Sequence, residues 1–334
     1  MKILHITPHL GGGVGTVLMD WMDKVIPRID QSHEIVCLDY ANQKAMKWAK
    51  EKLDYFPLVD NMGPYPSLWM YKIEDADIVL CHYWDHPMLA DLFADHLPDC
   101  RLVFWCHKNI PYSPEEIAFP DLWIDTSPIQ GHGRHIWSTG DISRFPEIQP
   151  KPHKGFVVGY VGTISYKKIH PEWYPMCVEI KKAIPDARFT FIGENLTAIQ
   201  GSDWMTFTGK VDDVVPYLAE MDVFGYPLRP DHYGTCEQAL GEAMAAGVVP
   251  VVMDNRSERH IVQSSMLNGF RAKTPKDYIN CIEILYHDPD LRRIMAHNAR
   301  STATAIYDIN TMIDCWDETF NEVMQKPRRE RRPI

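Results

Sequence analysis

Short apolar runs of strand length alternate with longer amphipathic runs along the first third of the chain. The strand-like runs include KILHIT at residues 2–7, DIVLCHY at 77–83 and LVFWCH at 102–107, while residues 14–25 have the spacing of an amphipathic helix. Strands that alternate with helices form parallel sheets covered by helices on both faces. The pattern therefore predicts a doubly wound, Rossmann-like α/β domain over residues 1–150.

A second series of strands and helices follows a segment without periodicity. Glycine, serine and proline cluster within residues 138–154, which is typical of a linker. Strand-like and helix-like runs then alternate again and predict a second doubly wound domain over residues 151–310. The last helical segment, 311–325, is long enough to pack back on the first domain. The polar, basic tail 326–334 is predicted to be disordered.

Two such domains that face each other create a cleft at the carboxyl ends of both sheets. Open parallel sheets bind ligands at that edge, in the loops that follow the strands. We therefore expect one functional site, shared between the two domains and formed by the loops at the strand ends.

Composition and charge exclude several classes of protein. The chain of 334 residues has 34 Lys and Arg against 45 Asp and Glu, and the net charge of −11 excludes nucleic acid as an expected partner. The longest apolar run, residues 243–253, is too short to span a membrane, and the N-terminus has the pattern of a first strand instead of a signal peptide. The eight cysteines include no C-x-x-C pair and fit reduced core thiols. We expect a cytoplasmic protein whose basic tail gives at most weak peripheral contact at the inner membrane face.

A glycine-rich turn follows the first predicted strand. Gly12 and Gly13 lie in PHLGGGVGT, and the backbone N–H groups of such a turn can bind a phosphate where a helix begins. The G-x-G-x-x-G spacing of dinucleotide-binding proteins fails, because Thr16 or Leu18 occupies the third glycine position. The P-loop pattern is absent as well. The turn is therefore either a phosphate-binding candidate or purely structural, and a dehydrogenase is disfavoured.

The most informative segment lies between residues 234 and 252. Its sequence, GTCEQALGEAMAAGVVPVV, resembles the retaining glycosyltransferases of the GT-B fold, family 4 type (group 1), which carry an E-x7-E motif followed by EAMAxGxPVV. Glu242 matches the second glutamate, which in that family binds the ribose hydroxyls of a nucleotide-sugar donor. Gly234 stands at the position of the first glutamate, so Glu237 or Asp231 is expected to replace it beside the transferred sugar.

The same segment predicts the N-terminus of a helix that binds the donor. Residues 234–238, which include Thr235 and Gln238, are expected to direct N–H groups and the positive end of the helix dipole toward a diphosphate.

The resemblance implies a set of cations for the same diphosphate. Lys168 matches the lysine that neutralises it in the family, while Thr163 stands where the family has arginine. Arg229 is the cation nearest in sequence to the predicted helix and is the candidate replacement for that arginine.

The family also places a histidine beside the reacting sugar, after a strand of the first domain. His107 in FWCHK matches that place, and His82 in LCHYWDHP is the alternative. The sequence has no H-E-x-x-H motif, no D-x-D at a strand end and no Cys/His ligand spacing, so neither a metal site nor a cofactor is expected. The resemblance implies a metal-independent reaction in which Lys168, backbone amides and the helix dipole replace the cation.

These features together indicate a retaining glycosyltransferase. It is expected to move a hexose-type sugar from a nucleoside diphosphate sugar, with UDP or GDP as the nucleotide, to a hydroxyl of a glycan or another acceptor. His107, Lys168 and Glu237 are its expected catalytic residues. Two alternatives remain: a nucleotide-sugar epimerase of the same GT-B fold, which needs further acid and base residues, and a non-catalytic protein that binds sugar nucleotides or serves as a scaffold. The departures at Thr163 and Gly234 are the features that allow the non-catalytic alternative.

Overall fold

Two compact units make up the chain. The computed structural model of the protein describes residues 1–53, 66–263 and 266–332. Unit 1 combines Met1–Asp141 with Asp308–Ile334, and unit 2 is Ile142–Tyr307.

The boundary between the units lies at residue 141 and not at the predicted residue 150. The intervening segment is bound to unit 2, because Arg144 forms an ion pair with Asp213 at 3.1 Å and the N–H of Lys151 donates to the carbonyl of Ala219 at 2.7 Å. These contacts are distant in sequence, so the loss of periodicity alone could not place the boundary.

Unit 1 contains a parallel β-sheet flanked by helices, as the alternating pattern predicts. Its elements before residue 141 are β1 (Lys2–Leu10), α1 (Gly12–Val25), β2 (Ser32–Ala41), α2 (Gln43–Lys52), α3 (Pro66–Asp75), β3 (Ile78–Tyr83), α4 (Pro87–Phe93), β4 (Leu97–Cys100), β5 (Leu102–Cys106), α5 (Pro114–Ala118) and β6 (Leu122–Asp125). Five strands form one sheet in the order β2-β1-β3-β5-β6, with all neighbours parallel. The central strand β3 is buried along its whole length, as expected for a sheet covered on both faces.

Unit 2 has the same architecture with a different sequence. Its elements are β7 (Phe156–Val161), α6 (Trp173–Ala183), β8 (Ala187–Ile192), β9 (Met205–Phe207), α7 (Val215–Leu218), β10 (Val223–Tyr226), α8 (Gln238–Ala245), β11 (Val249–Met253), a 3-10 turn (Glu258–His260), β12 (Phe270–Ala272), α9 (Pro275–His287) and α10 (Pro289–Ile306). Six parallel strands form its sheet in the order β12-β11-β10-β7-β8-β9. The carboxyl ends of β7 and β10 therefore lie side by side in the middle of the sheet.

The C-terminal helix belongs to unit 1. This helix, α11 (Ile309–Met324), buries Trp316 and Phe320 on one face, as their four-residue spacing requires. Trp316 stacks on Trp21 of α1 with the ring centroids 5.5 Å apart. The helix predicted at 311–325 is thus found two residues earlier, packed against the first domain.

The basic tail forms regular structure, so the predicted disorder over residues 326–334 is wrong for the part that the structure describes. β13 (Arg329–Arg331) pairs antiparallel with β4. Arg331 is buried, where its guanidinium contacts the carboxylate of Asp121 and donates to the carbonyl of Phe119 at 2.7 Å. The tail has the composition of a solvated segment, but a buried acid distant in sequence gives its arginine a partner.

The cysteines contribute to the core as unpaired thiols. All eight are free, and six of them are buried. Among the helices in the described ranges, none is long and apolar enough to cross a membrane.

The substitution Arg331→Ala is expected to destabilise unit 1 by about 2 kcal/mol, because it removes one of the two cations that contact the buried Asp121 carboxylate. Urea unfolding of the variant measures the change. Arg332→Ala, at an exposed position one residue later, is the matched control and should leave the midpoint unchanged. Equal midpoints for the two variants would contradict the buried pairing.

Candidate active site

Two loops meet at glycines at the carboxyl edge of the unit 2 sheet. Gly162 follows β7 and Gly193 follows β8, with φ values of 141° and 133°. A Cβ on Gly193 would lie 2.2 Å from the Gly162 carbonyl oxygen, so only glycine permits this approach. Thr163 is half-buried in the loop after β7, and its carbonyl oxygen accepts the hydroxyl of Tyr160 at 3.1 Å. The contact fixes the start of the loop that carries Lys168.

Lys168 holds an ammonium group over the end of β10. Its carbonyl oxygen accepts the N–H of Arg229 at 3.0 Å, which ties the loop after β7 to the segment after β10. Its Nζ atom lies 5.4 Å from the ring centroid of Tyr226 and 3.9 Å from Oε2 of Glu237. Because the side chain is 17% exposed, its charge is partly desolvated but still accessible to a ligand.

Glu237 supplies the carboxylate of this cluster. The residue directly precedes α8 and has a left-handed backbone, with φ 41° and ψ 57°. Its side chain is 2% exposed and accepts a hydrogen bond of 2.5 Å from the hydroxyl of Tyr226. Burial, and after it the charge of Glu237, raises the pKa of the Tyr226 hydroxyl. Tyr226 therefore stays protonated and remains a donor to the carboxylate.

Gly234 makes the space that the Glu237 carboxylate occupies. A Cβ at position 234 would lie 1.9 Å from Oε1 of Glu237, far inside van der Waals contact. A side chain at position 234 and the observed carboxylate position therefore exclude each other. Oε1 of Glu237 lies where the side chain of the expected first glutamate would begin.

A buried histidine and a second glutamate lie behind Glu237. Nδ1 of His232 is 3.5 Å from Oε1 of Glu237, and its Nε2 is 3.2 Å from Oε1 of Glu258. Ser257 contacts both, at 3.0 Å from His232 and 2.6 Å from Glu258. Burial lowers the pKa of His232, but the hydrogen bond to Glu258 and the charges of both glutamates outweigh burial, so the pKa is raised. This network could not be predicted from the sequence, because it depends on contacts between separate loops.

Two residues predicted for the site lie outside the cluster. The guanidinium of Arg229 pairs with the carboxylate of Asp231 and also donates to the carbonyl of Tyr166 at 2.7 Å. The Asp231 side chain is 68% exposed. Of the two acids considered as replacements for the first glutamate, the structure places Glu237 beside Lys168, and it directs Asp231 toward Arg229.

The helix after Glu237 begins later than the sequence predicts. α8 starts at Gln238, so the expectation of a helix from Gly234 onward is wrong. The left-handed backbone of Glu237 interrupts the helical geometry at that point. Thr235 is buried in the preceding turn, while Gln238 and Glu242 lie one helical turn apart on α8 and are half-buried.

The glycine turn of unit 1 opens a helix, as expected. Its first helical residue is Gly12, after Gly11 in an extended conformation. A Cβ at Gly12 or Gly13 would meet no atom of the described residues within 4 Å. The N–H groups of a first helical turn have no intrahelical acceptor, so the turn has the steric freedom that phosphate binding requires. Phosphate binding by this turn stays a prediction.

Four histidine side chains form a continuous line of contacts through unit 1, termed here the histidine chain. His107 follows β5, and its Nε2 lies 3.1 Å from Nδ1 of His82 near the end of β3. Nε2 of His82 lies 3.3 Å from Nδ1 of His5 in β1. Nε2 of His5 lies 2.9 Å from Nδ1 of His33 in β2. The two histidines considered from sequence are thus neighbours, whereas His5 and His33 were missed.

The middle of the histidine chain lies inside the apolar core of unit 1. His5 and His82 are fully buried, and the ring of Trp21 packs edge-on against His5. Burial lowers the pKa of all four imidazoles, to about 4 for His33 and about 3 for His82, and well below the ordinary value for His5 and His107. All four are therefore neutral at pH 7. Within the described part of the chain, no group of three or more His, Cys, Asp or Glu side chains could hold a metal ion.

Comparisons with known proteins identify the fold and the family that unit 2 resembles. Residues 141–302 match the family model described as glycosyl transferases group 1. The fold is similar to that of Anabaena HepE in its complex with UDP-glucose, with a TM-score of 0.74 and 17% identity over 96% of this chain and 100% of that one. It is also similar to a glycosyltransferase from Rickettsia africae, with a TM-score of 0.73 and 13% identity over 97% and 99% of the two chains.

A curated relative supports the same class over part of its length. The protein named "Putative glycosyltransferase EpsD", from Bacillus subtilis (strain 168), is 25% identical over 177 residues. The match spans 48% of this chain and 44% of that relative, less than half of either.

Two doubly wound units of parallel strands, in this order along the chain, are the GT-B fold of glycosyltransferases. The match to the group 1 glycosyltransferase model covers almost all of unit 2.

Gly234→Ala is expected to destabilise unit 2 by about 1–3 kcal/mol, because the added Cβ displaces the Glu237 carboxylate from its hydrogen bond with Tyr226. Urea unfolding gives the free-energy difference. Gly201→Ala, at an exposed loop position of the same unit, is the control and should change it little. A Gly234→Ala variant as stable as the wild type would show that the carboxylate lies elsewhere.

The free energy of unfolding should fall as the pH drops below about 6.5, which is the pKa of a histidine in an unfolded chain. Below that pH the histidines bind protons in the unfolded state, whereas in the folded state burial keeps them unprotonated. For His33 alone, whose folded pKa is about 4, the loss between pH 6.5 and pH 4 is about 3 kcal/mol. Urea unfolding at several pH values measures the slope. His33→Gln should flatten it, whereas His297→Gln, at an exposed position, should retain it. Equal slopes in the two variants would contradict the lowered pKa.

Proposed function

We propose that the chain transfers a hexose-type sugar from a nucleoside diphosphate sugar, with UDP or GDP as the nucleotide, to a hydroxyl of a glycan or another acceptor. The proposed reaction retains the anomeric configuration and uses no metal ion. The observation that carries the proposal is the cluster of Lys168, Glu237 and Tyr226 at the carboxyl edge of the sheet in a group 1 domain. The solved structures of Anabaena HepE contain UDP and UDP-glucose, so uridine nucleotides are the first donors to test.

The cluster combines the two kinds of group that a nucleotide sugar requires. The partly desolvated ammonium of Lys168 suits a diphosphate, because a cation at low exposure binds an anion more strongly than a solvated one does. The carboxylate of Glu237 can accept hydrogen bonds only, which suits the hydroxyls of the transferred sugar. Glu242 on α8 is assigned to the ribose, where its two oxygens can accept both vicinal hydroxyls.

In the proposed reaction, the acceptor oxygen attacks the anomeric carbon from the face on which the diphosphate leaves. The bond from that carbon to the phosphate oxygen breaks as the bond to the acceptor oxygen forms, and the acceptor proton passes to a phosphate oxygen. The leaving diphosphate gains negative charge, so the Lys168 ammonium stabilises the transition state more than the ground state. The phosphate contacts of Gly12 and Gly13 and the sugar contact of His107 belong to the same proposal.

Glu237 also answers one argument for a non-catalytic protein. The glycine at position 234 removes a glutamate from the motif, but a carboxylate from Glu237 lies directly beside that position. The departure at Thr163 has no such counterpart, because the guanidinium of Arg229 is paired with Asp231.

A thermal-shift panel with UDP, GDP, ADP, dTDP and CDP, followed by their sugar conjugates, is the first test. A nucleotide at 100 times its dissociation constant should stabilise the protein by about 2.7 kcal/mol.

Lys168→Ala should lower turnover about 100-fold, because it removes one charge that stabilises the leaving group. Lys167→Ala, at the exposed neighbouring position, is the matched control, and Glu237→Gln should reduce turnover where Asp231→Asn does not.

The outcomes separate the proposed function from its alternatives. Donor binding without turnover by any acceptor would favour the non-catalytic protein, and conversion of the donor sugar without an acceptor would favour the epimerase. Equal turnover by the Lys168→Ala and Lys167→Ala variants would overturn the assigned site.

A further inference from the structure

The histidine chain ends at a glutamine whose orientation is fixed from outside. The side-chain nitrogen of Gln31 donates to Oδ1 of Asp317 in α11 at 2.8 Å, and Arg28 donates to Oδ2 of the same carboxylate at 2.7 Å. A carboxylate accepts hydrogen bonds and donates none, so the amide nitrogen of Gln31 has to face Asp317. Its amide oxygen therefore faces Nε2 of His33, at 3.2 Å. An amide oxygen only accepts, so Nε2 of His33 carries the proton.

The orientation of Gln31 determines which nitrogen carries the proton in each ring of the histidine chain. A neutral imidazole has one N–H and one lone pair, so the remaining nitrogen of His33, Nδ1, has to accept from Nε2 of His5. Nδ1 of His5 then accepts from Nε2 of His82, and Nδ1 of His82 accepts from Nε2 of His107. These tautomers require neutral rings, and burial keeps the rings neutral by lowering the pKa of all four. Every ring of the histidine chain therefore carries its proton on Nε2, an arrangement termed here a single polarity, and the lone pair of His107 lies on Nδ1.

We propose that Gln31, His33, His5 and His82 are positioning residues that hold His107 in the tautomer with the proton on Nε2 and present its Nδ1 lone pair to a hydroxyl of the bound sugar substrate. His107 suits this part because it is half-buried just after β5, whereas His5 and His82 have no exposed surface. The contact of His107 with substrate rests on the proposed function, but the tautomer does not.

The tautomer matters because a hydroxyl both donates and accepts hydrogen bonds. A lone pair on Nδ1 accepts the hydroxyl proton and leaves the oxygen lone pairs directed away from the ring. The opposite tautomer presents an N–H, so the hydroxyl oxygen would accept a hydrogen bond from the ring instead of donating one. A proton conduit is not required, because the proposed reaction passes the acceptor proton directly to the leaving diphosphate.

The test reads the tautomer first, in the free protein with ¹⁵N-labelled histidine. Long-range ¹H–¹⁵N correlation spectra distinguish the protonated from the unprotonated ring nitrogen, and His107→Phe assigns the His107 signals. The wild type is expected to show the proton of His107 on Nε2. Gln31→Lys places a donor against both Asp317 and His33, so it should reverse the polarity and move the His107 proton to Nδ1. Gln31→Leu removes the end group and should give a mixture of both tautomers.

Turnover is measured on the same variants, with Gln43→Leu as the matched control at an exposed glutamine on the first turn of α2. Gln31→Lys should lower kcat about fivefold, the factor that corresponds to one net hydrogen bond, with little change in KM for the donor. Gln43→Leu should match the wild type in both the spectrum and the rate.

The two readouts can fail separately. An unchanged His107 tautomer in a folded Gln31→Lys protein would overturn the proposal that Gln31 fixes the tautomer of His107 through the histidine chain, termed here the relay. A reversed tautomer with normal kcat would overturn the contact of His107 with substrate and leave the relay standing. If the wild type transfers no sugar at all, the proposed function fails, and the spectra still decide the relay.

Discussion

The buried carboxylate of Glu237 is the constraint on which the site in unit 2 depends. A carboxylate at 2% exposure without partners would cost several kcal/mol, so the chain has to bring donors and cations to it. Tyr226 comes from the end of β10 and Lys168 from the loop after β7. These two strands pair directly in the sheet. The strand order is therefore a requirement of the site, because no local segment contains both partners.

The same carboxylate lies beside the position at which the chain departs from a family motif. The motif expects an acid eight residues before Glu242, where this chain has Gly234. The left-handed backbone of Glu237 turns its side chain back, so that Oε1 lies 1.9 Å from where a Cβ of residue 234 would be. Glycine at 234 and glutamate at 237 are therefore coupled, since either residue alone would leave a clash or an empty position.

Periodicity and motif spacing predicted most of the fold and part of the site. The alternating runs gave both parallel sheets, and the resemblance to a family selected Lys168 and Glu237 as candidates. The rest depends on contacts between residues distant in sequence. The tail is ordered because Arg331 forms an ion pair with Asp121. The domain boundary lies earlier than predicted because Arg144 pairs with Asp213 of unit 2. Helix α8 starts later than predicted because Glu237 has a left-handed backbone. The burial of His5 could have been noticed in the sequence, because a histidine inside the apolar run KILHIT is unusual for a core position.

The histidine chain is not explained by core stability. Leucine or phenylalanine would fill the same space beside Trp21 without polar atoms that need partners, and would not lose stability at low pH. A buried line of polar groups is satisfied only if every member has a partner, and its single polarity here is fixed by Gln31 and Asp317 at one end. The other end is His107, which is half-buried just after β5. The hydrogen bonds of Gln31 and Asp317 at one end therefore fix the ring proton of His107 at the other end, which connects α11 to a residue across the sheet.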